Sequence, residues 1–288
     1  MRKIEYFGIV GGDKRQLETA LSIQKDGYNV NICGFENANF KIKDLKQDTL
    51  NNVISKSEGI ILPLPVTRNG TSLNAPFSNS EILLNNEFFE LLKDKKVFCG
   101  MAEILYKSDL PYNKNNIYDY FNREEFTVEN AVPTAEGAIE IAMREYSGTI
   151  NGSKCLVTGY GRIGKILAKF LTGLGADVTV SARKKEDEAW IKLQGYHFAN
   201  TNNLPEIQFD IIFNTIPSTI FNARTLAKTA ANAVLIDLAS APYGVDYNAA
   251  KRLGINAIKA PSLPGKVAPK TAGEIIKNTI YNIIEEEL

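Results

Sequence analysis

Histidine is almost missing from this chain: His197 is the only one in 288 residues. A two-histidine metal site or a paired-histidine relay within one chain is thereby excluded. A Ser-His-Asp triad would have to use His197. That residue sits in Gly195-Tyr-His-Phe198, at the start of a short strand on what is ordinarily a remote sheet edge, so it is read as non-catalytic. Cysteine is also scarce. Cys33, Cys99 and Cys155 lie in or beside apolar, strand-like runs. They read as buried free thiols, exclude a disulfide framework or thiolate cluster, and fit a reducing cytoplasm. Excess charge is absent: 33 basic residues balance 33 acidic ones. No overall field favours nucleic acid or an anionic membrane, and no basic run is long enough for a nucleic-acid arm. No apolar stretch approaches the roughly 20 residues of a membrane span. The opening Met1-Arg-Lys leads into Ile4-Glu-Tyr-Phe-Gly-Ile-Val-Gly11, an acid-containing strand without a small-residue cleavage site, and so not a signal peptide.

The chain has ample apolar material, 44% of its residues, and a length that fits about two domains. Strand and helix patterns alternate throughout. Tyr6–Gly11, Val30–Gly34, Gly59–Pro65 and Lys96–Gly100 read as strands, with a helix to about Asp26, another near 81–92, and a shorter unit reaching Tyr118-Asp-Tyr120. A long helix starts at Pro133 and runs to about Tyr146; strands then recur at Lys154–Thr158, Asp177–Ala182, Phe209–Asn214, Ala233–Asp237 and Ile255–Ile258. The last helix covers 272–287. The pattern predicts an α/β protein of two Rossmann-like, doubly wound parallel-sheet domains with an interdomain cleft. The first comprises residues 1–130 plus 270–288, a flavodoxin-like substrate domain; residues 131–269 form the nucleotide domain.

The sharpest motif is Gly159-Tyr-Gly161-Arg162-Ile163-Gly164. An apolar strand runs straight into it, and its last glycine opens an amphipathic helix. The first glycine permits a tight turn, the second lets a pyrophosphate approach the backbone, and the third lets helix and strand pack closely. The helix start supplies free N–H groups and partial positive charge. A plain βα turn that binds nothing is the competing reading. The next strand ends Ser181-Ala182-Arg183-Lys184-Lys185, with no acid before Glu186. NAD sites usually place Asp or Glu here, on the ribose 2′-hydroxyl. A hydroxyl beside cations would instead hold a 2′-phosphate, so NADP is the expected cofactor, with Ser181, Arg183 and Lys184 as its ligands. The alternative is a solvated basic turn. Asn214, Thr215 and Pro217 end a later strand where nicotinamide and its ribose normally lie, and Ala239-Ser240 ends the next.

The first domain breaks this phosphate logic. Gly8-x-x-Gly11-Gly12 is followed by Asp13, a good helix N-cap that would repel a pyrophosphate. Arg15 lies just past it. Arg68, with Thr67 and Asn69, follows the third strand at the edge where α/β sheets bind ligands. Two arginines at one mouth suit a small dicarboxylate; a capping turn and a polar flap are the plainer readings. Lys266, in the proline-framed loop Ala260–Thr271, could meet or polarise substrate, or the loop could be a hinge.

Six segments together carry a family resemblance: Gly11-Gly-Asp-x-Arg15-Gln16, Pro63-Leu-Pro-Val-Thr-Arg68, Pro133-Thr-Ala-Glu-Gly137-Ala, the glycine triplet, Asn214-Thr-Ile-Pro217 and Ala260-Pro-Ser-Leu-Pro-Gly-x-Val-Ala-Pro-Lys-Thr-Ala-Gly273. The chain resembles the A subunits of dipicolinate synthase over nearly its whole length. The resemblance implies oxidation of dihydrodipicolinate to pyridine-2,6-dicarboxylate with NADP in sporulating bacteria, alongside a flavoprotein-like B subunit; a homo-oligomer is also expected. No catalytic residue is carried over from the family. The architecture is also similar to D-2-hydroxyacid dehydrogenases, whose catalytic His has no counterpart here. Two alternatives stay open: a non-catalytic, nucleotide-binding member of a two-subunit complex, and a 2-hydroxyacid or amino-acid dehydrogenase, for which only Lys266 could move the proton.

Overall fold

The computed structural model describes residues 4–39, 45–106, 116–204 and 208–288. Met1-Arg-Lys and part of the unit expected between Gly100 and Tyr118 lie outside them. The described chain divides into two compact units, one of Met1–Glu129 with Ala268–Leu288, the other of Asn130–Val267.

The first unit holds strands β1 (Tyr6–Val10), β2 (Asn29–Cys33), β3 (Lys46–Gln47), β4 (Gly59–Ile61), β5 (Lys96–Cys99) and β6 (Ile117–Asp119). Its helices are α1 (Lys14–Lys25), α2 (Leu50–Ser55), α3 (Asn86–Leu91), α4 (Glu103–Tyr106), α5 (Glu124–Glu129) and, from the far end of the sequence, α12 (Pro269–Glu287). The second unit holds β7 (Lys154–Thr158), β8 (Asp177–Ala182), β9 (His197–Asn200), β10 (Ile211–Asn214), β11 (Val234–Asp237) and β12 (Asn256–Lys259). Its helices are α6 (Ala131–Glu145), α7 (Arg162–Gly173), α8 (Lys185–Leu193), α9 (Ala223–Leu226), α10 (Tyr247–Arg252) and α11 (Leu263–Val267).

Both sheets are six-stranded and parallel, ordered β3-β2-β1-β4-β5-β6 and β12-β11-β10-β7-β8-β9. Each therefore reverses direction beside its first strand, between β1 and β4 and between β7 and β10. The crevice beyond the carboxyl ends of such a pair is where open α/β sheets bind ligands. Strands buried on both faces read as continuous apolar runs, and Ile211–Asn214 and Val234–Asp237 are buried at every position.

Local signals set most boundaries. Asn85 caps α3 by accepting the Phe88 N–H at 3.0 Å, so the helix expected from 81 starts at Asn86. Residues 72–83 instead pair as a short antiparallel bridge, Ser72 against Leu83. The Ala260–Thr271 loop contains a helix, α11, which carries Lys266. Pro269 starts α12 three residues before the expected start, as a proline in a first turn can. Alpha12 buries Ile275, Ile276, Ile280 and Ile283 in the core of the first unit. Gly273 lies so close to α1 that a Cβ there would stand 2.7 Å from Glu18 Cβ and 2.8 Å from Arg15 O.

Candidate functional site

In the second unit β7 ends at Thr158, and Gly159 turns the chain with φ +94°, a conformation that favours glycine. A Cβ on Gly159 would also strike Thr215 Oγ1, and one on Gly164 would strike the Gly159 carbonyl oxygen. Neither position has room for another side chain. Gly161 differs: it is extended at φ −83°, it is the N-cap of α7, and a Cβ there meets nothing within 4 Å. No side chain caps α7. The first turn of α7 thus has no side-chain acceptor at its N-cap, and the space that a Gly161 Cβ would take is empty. That is the cradle a pyrophosphate requires, and the residues present fit a dinucleotide.

Behind the turn is a buried polar lattice. Asn214 and Asp237 are wholly buried. Asn214 Nδ2 donates to Asp237 Oδ1 at 2.8 Å and to the Ile216 carbonyl at 3.0 Å, and its Oδ1 accepts from Thr158 Oγ1 at 2.6 Å. Asp237 accepts further bonds from Ala239 N–H, Gly244 N–H and the Tyr247 hydroxyl. A carboxylate without a cation needs several donors when desolvated, and these supply them. Burial, reinforced by the Asp237 carboxylate, pushes the Tyr247 hydroxyl well above its ordinary pKa, so it stays a donor. Thr215 Oγ1 donates to the Thr158 carbonyl at 2.8 Å. Asn214 ends its strand where the nicotinamide ribose was expected, but its amide is spent on holding the ends of β7, β10 and β11 together. Pro217 is exposed beyond it, and Ala239 is buried against Asp237.

A pocket of 390 Å³ opens beside the end of β8. Arg183 lines it with Thr201, Asn202, Ile216 and Ile220, and Arg224 and Lys228 complete the wall. Ser181 is absent from it. The Ser181 side chain is wholly buried and accepts a hydrogen bond from Thr201 Oγ1 at 3.1 Å, so the sequence misplaced its hydroxyl as a surface ligand. Lys184 is exposed and paired with Glu186 at 3.1 Å, which raises its pKa.

The first unit closes the corresponding turn. Asp13 caps α1, its Oδ1 accepting the Arg15 N–H at 3.0 Å while Gln16 Oε1 accepts the Asp13 N–H at 3.1 Å. Arg15 is 6% exposed. Its guanidinium grips Asp13 through Nε at 2.9 Å and Nη2 at 2.8 Å, and donates to the Leu64 carbonyl at 2.5 Å. Burial opposes the Arg15 charge, but the Asp13 contacts outweigh it and hold the pKa above its ordinary value. Arg15 therefore stitches the start of α1 to the segment after β4, a structural ion pair between a buried guanidinium and a half-buried carboxylate where the sequence suggested a substrate anchor. Arg68 is exposed; its Nε donates to Asn74 Oδ1 at 3.1 Å, and it lines a polar pocket of 380 Å³. Thr67 and Asn69 brace that loop by hydrogen bonds to Ser72. Lys266 is exposed on α11. His197, on the outermost strand β9, has a side chain 71% exposed that meets Asp177 of β8 at 3.1 Å.

An uncapped glycine turn between β7 and α7 in a sheet of this order defines a dehydrogenase-type nucleotide-binding unit. Residues 126–254 match the model of the D-isomer specific 2-hydroxyacid dehydrogenase NAD binding domain, and residues 6–121 that of the N-terminal domain of the dipicolinate synthase A subunit. The chain is 32% identical to the dipicolinate synthase A subunit of Bacillus subtilis over 96% of its length and 95% of that relative. It also superposes on the crystal structure of that Bacillus subtilis protein (TM-score 0.83, 31% identity, 99% of this chain and 97% of that one). The Bacillus halodurans counterpart gives the same TM-score at 29% identity, covering 98% of each chain. An L-alanine dehydrogenase shares the fold at 16% identity, TM-score 0.61, over 98% of this chain and 90% of that one. The chain belongs to the family of dipicolinate synthase A subunits.

Proposed function

We propose that this chain oxidises dihydrodipicolinate to pyridine-2,6-dicarboxylate with NADP in spore formation, working in the cytoplasm as a homo-oligomer and together with a flavoprotein-like B subunit. The observation that carries the reading is the open α7 turn in a chain related end to end to dipicolinate synthase A subunits. When bound, the nicotinamide supplies a hydride acceptor. Gly159, Gly161, Arg162, Ile163 and Gly164 would hold the pyrophosphate. Thr215, Pro217 and Ala239, braced by Asn214 and Asp237, would shape the nicotinamide end. Arg68 is the candidate for a substrate carboxylate, and exposed Lys266 is the candidate proton carrier. Aromatising a dihydropyridine is downhill, so orientation and the removal of one proton suffice, and a chain with one remote histidine can manage both.

The exposed, edge-strand position of His197 argues against the 2-hydroxyacid alternative. The test is a coupled assay: freshly generated dihydrodipicolinate, NADP and the purified chain, with and without the B subunit, following NADPH absorbance and dipicolinate. NADPH and dipicolinate should appear in equal amounts. Activity only with the partner present would favour the reading of a non-catalytic nucleotide-binding member, and none in either case would end the proposal.

A further inference from the structure

The pocket beside β8 has a composition that the glycine motif does not explain. Among the described residues its lining includes three cations, Arg183, Arg224 and Lys228, and no carboxylate. All three are exposed, and among the described residues none of them forms an ion pair. Other basic residues of this unit are neutralised by neighbours, as Lys184 is by Glu186, Lys185 and Lys192 by Glu188, and Arg144 by Glu140 and Glu145. Three unneutralised cations around one concavity repel one another and are eased by an anion, above all one with several acceptor oxygens. Ile216 and Ile220 add apolar surface to the same pocket, suited to the flat face of a base.

Arg183 follows β8, the strand whose end meets the adenine ribose in this type of fold. Arg224 lies in α9 and Lys228 just past it, four residues apart and after β10, so they approach from the opposite side. Neither carries a sequence signal that points to nucleotide binding. We propose that Arg224 and Lys228 are specificity-determining residues that clamp the adenosine 2′-phosphate against Arg183, in place of Ser181 and Lys184. Buried Ser181 positions Thr201 at the pocket wall and touches no phosphate. The inference rests on the NADP reading above and assigns that reading to different side chains.

The test is calorimetric titration of the intact chain with NADP, NAD, 2′,5′-ADP and 5′-AMP. Wild type should prefer NADP to NAD and 2′,5′-ADP to 5′-AMP. R224A and K228A should each weaken the two 2′-phosphorylated ligands about tenfold, the scale of one charge-assisted contact, and leave NAD and 5′-AMP within about twofold. R224K should recover part of the loss, and melting curves of these surface variants should match wild type. If R224A and K228A bind 2′,5′-ADP like wild type while R183A loses the preference, the α9 clamp is refuted and NADP selectivity stands. If wild type binds NADP and NAD equally, the NADP reading itself falls.

Discussion

The two sheets of this chain share one strand order, and their first turns behave oppositely. Gly11-Gly12-Asp13 leads from β1 into α1, and Gly159-Tyr160-Gly161 leads from β7 into α7. Gly11 and Gly159 both turn with positive φ. The next correspondence decides the chemistry: the N-cap is Asp13 in one and Gly161 in the other. At the third helical position Gln16 reaches back to the Asp13 N–H, where Gly164 packs on the Gly159 carbonyl. One helix start holds an internal carboxylate, itself gripped by buried Arg15; the other has no side-chain cap. A nucleotide fold thus becomes a nucleotide site through one side chain at the N-cap, and a topologically equal turn is barred from that role by the same means.

The comparison can be broken most forcefully in the first unit. Asp13→Ala removes both the cap and the counter-charge of a guanidinium that is 6% exposed. Unfolding by urea should show a loss of about 2–4 kcal/mol, as expected when a buried charge loses its counter-charge and a helix loses its N-cap. A loss below about 1 kcal/mol would mean the pair is incidental.

Copying the first turn into the second is the next largest effect. Gly161 is extended and its Cβ space is empty, so Gly161→Asp should fold. Its melting temperature should hold or rise, because an acidic N-cap stabilises by about 0.5–1 kcal/mol. Dinucleotide affinity should fall about 100-fold or more, through occupation of the cradle and charge repulsion. Retained affinity in the folded variant would place the nucleotide elsewhere.

If the first turn of unit one is shut to anions, substrate carboxylate must be met by another group there. Arg68→Ala should lower kcat/KM by about 10- to 100-fold, the range of a charged hydrogen bond, beside Lys192→Ala as a remote control. Kinetics equal to the control would move the anchor to Lys266. The smallest effect belongs to Ser181→Ala. It leaves the Thr201 hydroxyl without its partner, for a loss of about 1 kcal/mol of stability, and should leave the NADP-to-NAD preference within about twofold.

What was legible in the sequence was local. The strand–glycine–helix junction, the Asp13 cap and the absence of a usable histidine are contained in runs of a few residues. The two-residue β3 and the helices α2, α4 and α5, of four to six residues, are too short to show a period. Contacts across the fold were equally hidden. Ser181 looked like a surface hydroxyl until β9 delivered Thr201 onto it, and Asn214 looked like a ribose ligand until Asp237 of the neighbouring strand claimed its amide. Arg224 and Lys228 follow the Asn222 cap at a spacing that puts them on one side of a turn, but only the pocket brings them together with Arg183.

The placement of α12 bears on the order in which the protein is made. The second unit is one uninterrupted stretch, Asn130–Val267, whereas the first unit needs Ala268–Leu288 to be whole. During synthesis the first 129 residues leave the ribosome without the helix that lays Ile275, Ile276, Ile280 and Ile283 into their core. At roughly 5–20 residues per second they wait many seconds for it. The unit that is encoded second is thus the first able to finish folding. The unit encoded first keeps an apolar face of α1 uncovered until α12 has been made, and a nascent chain stalled near residue 268 would present that face to chaperones.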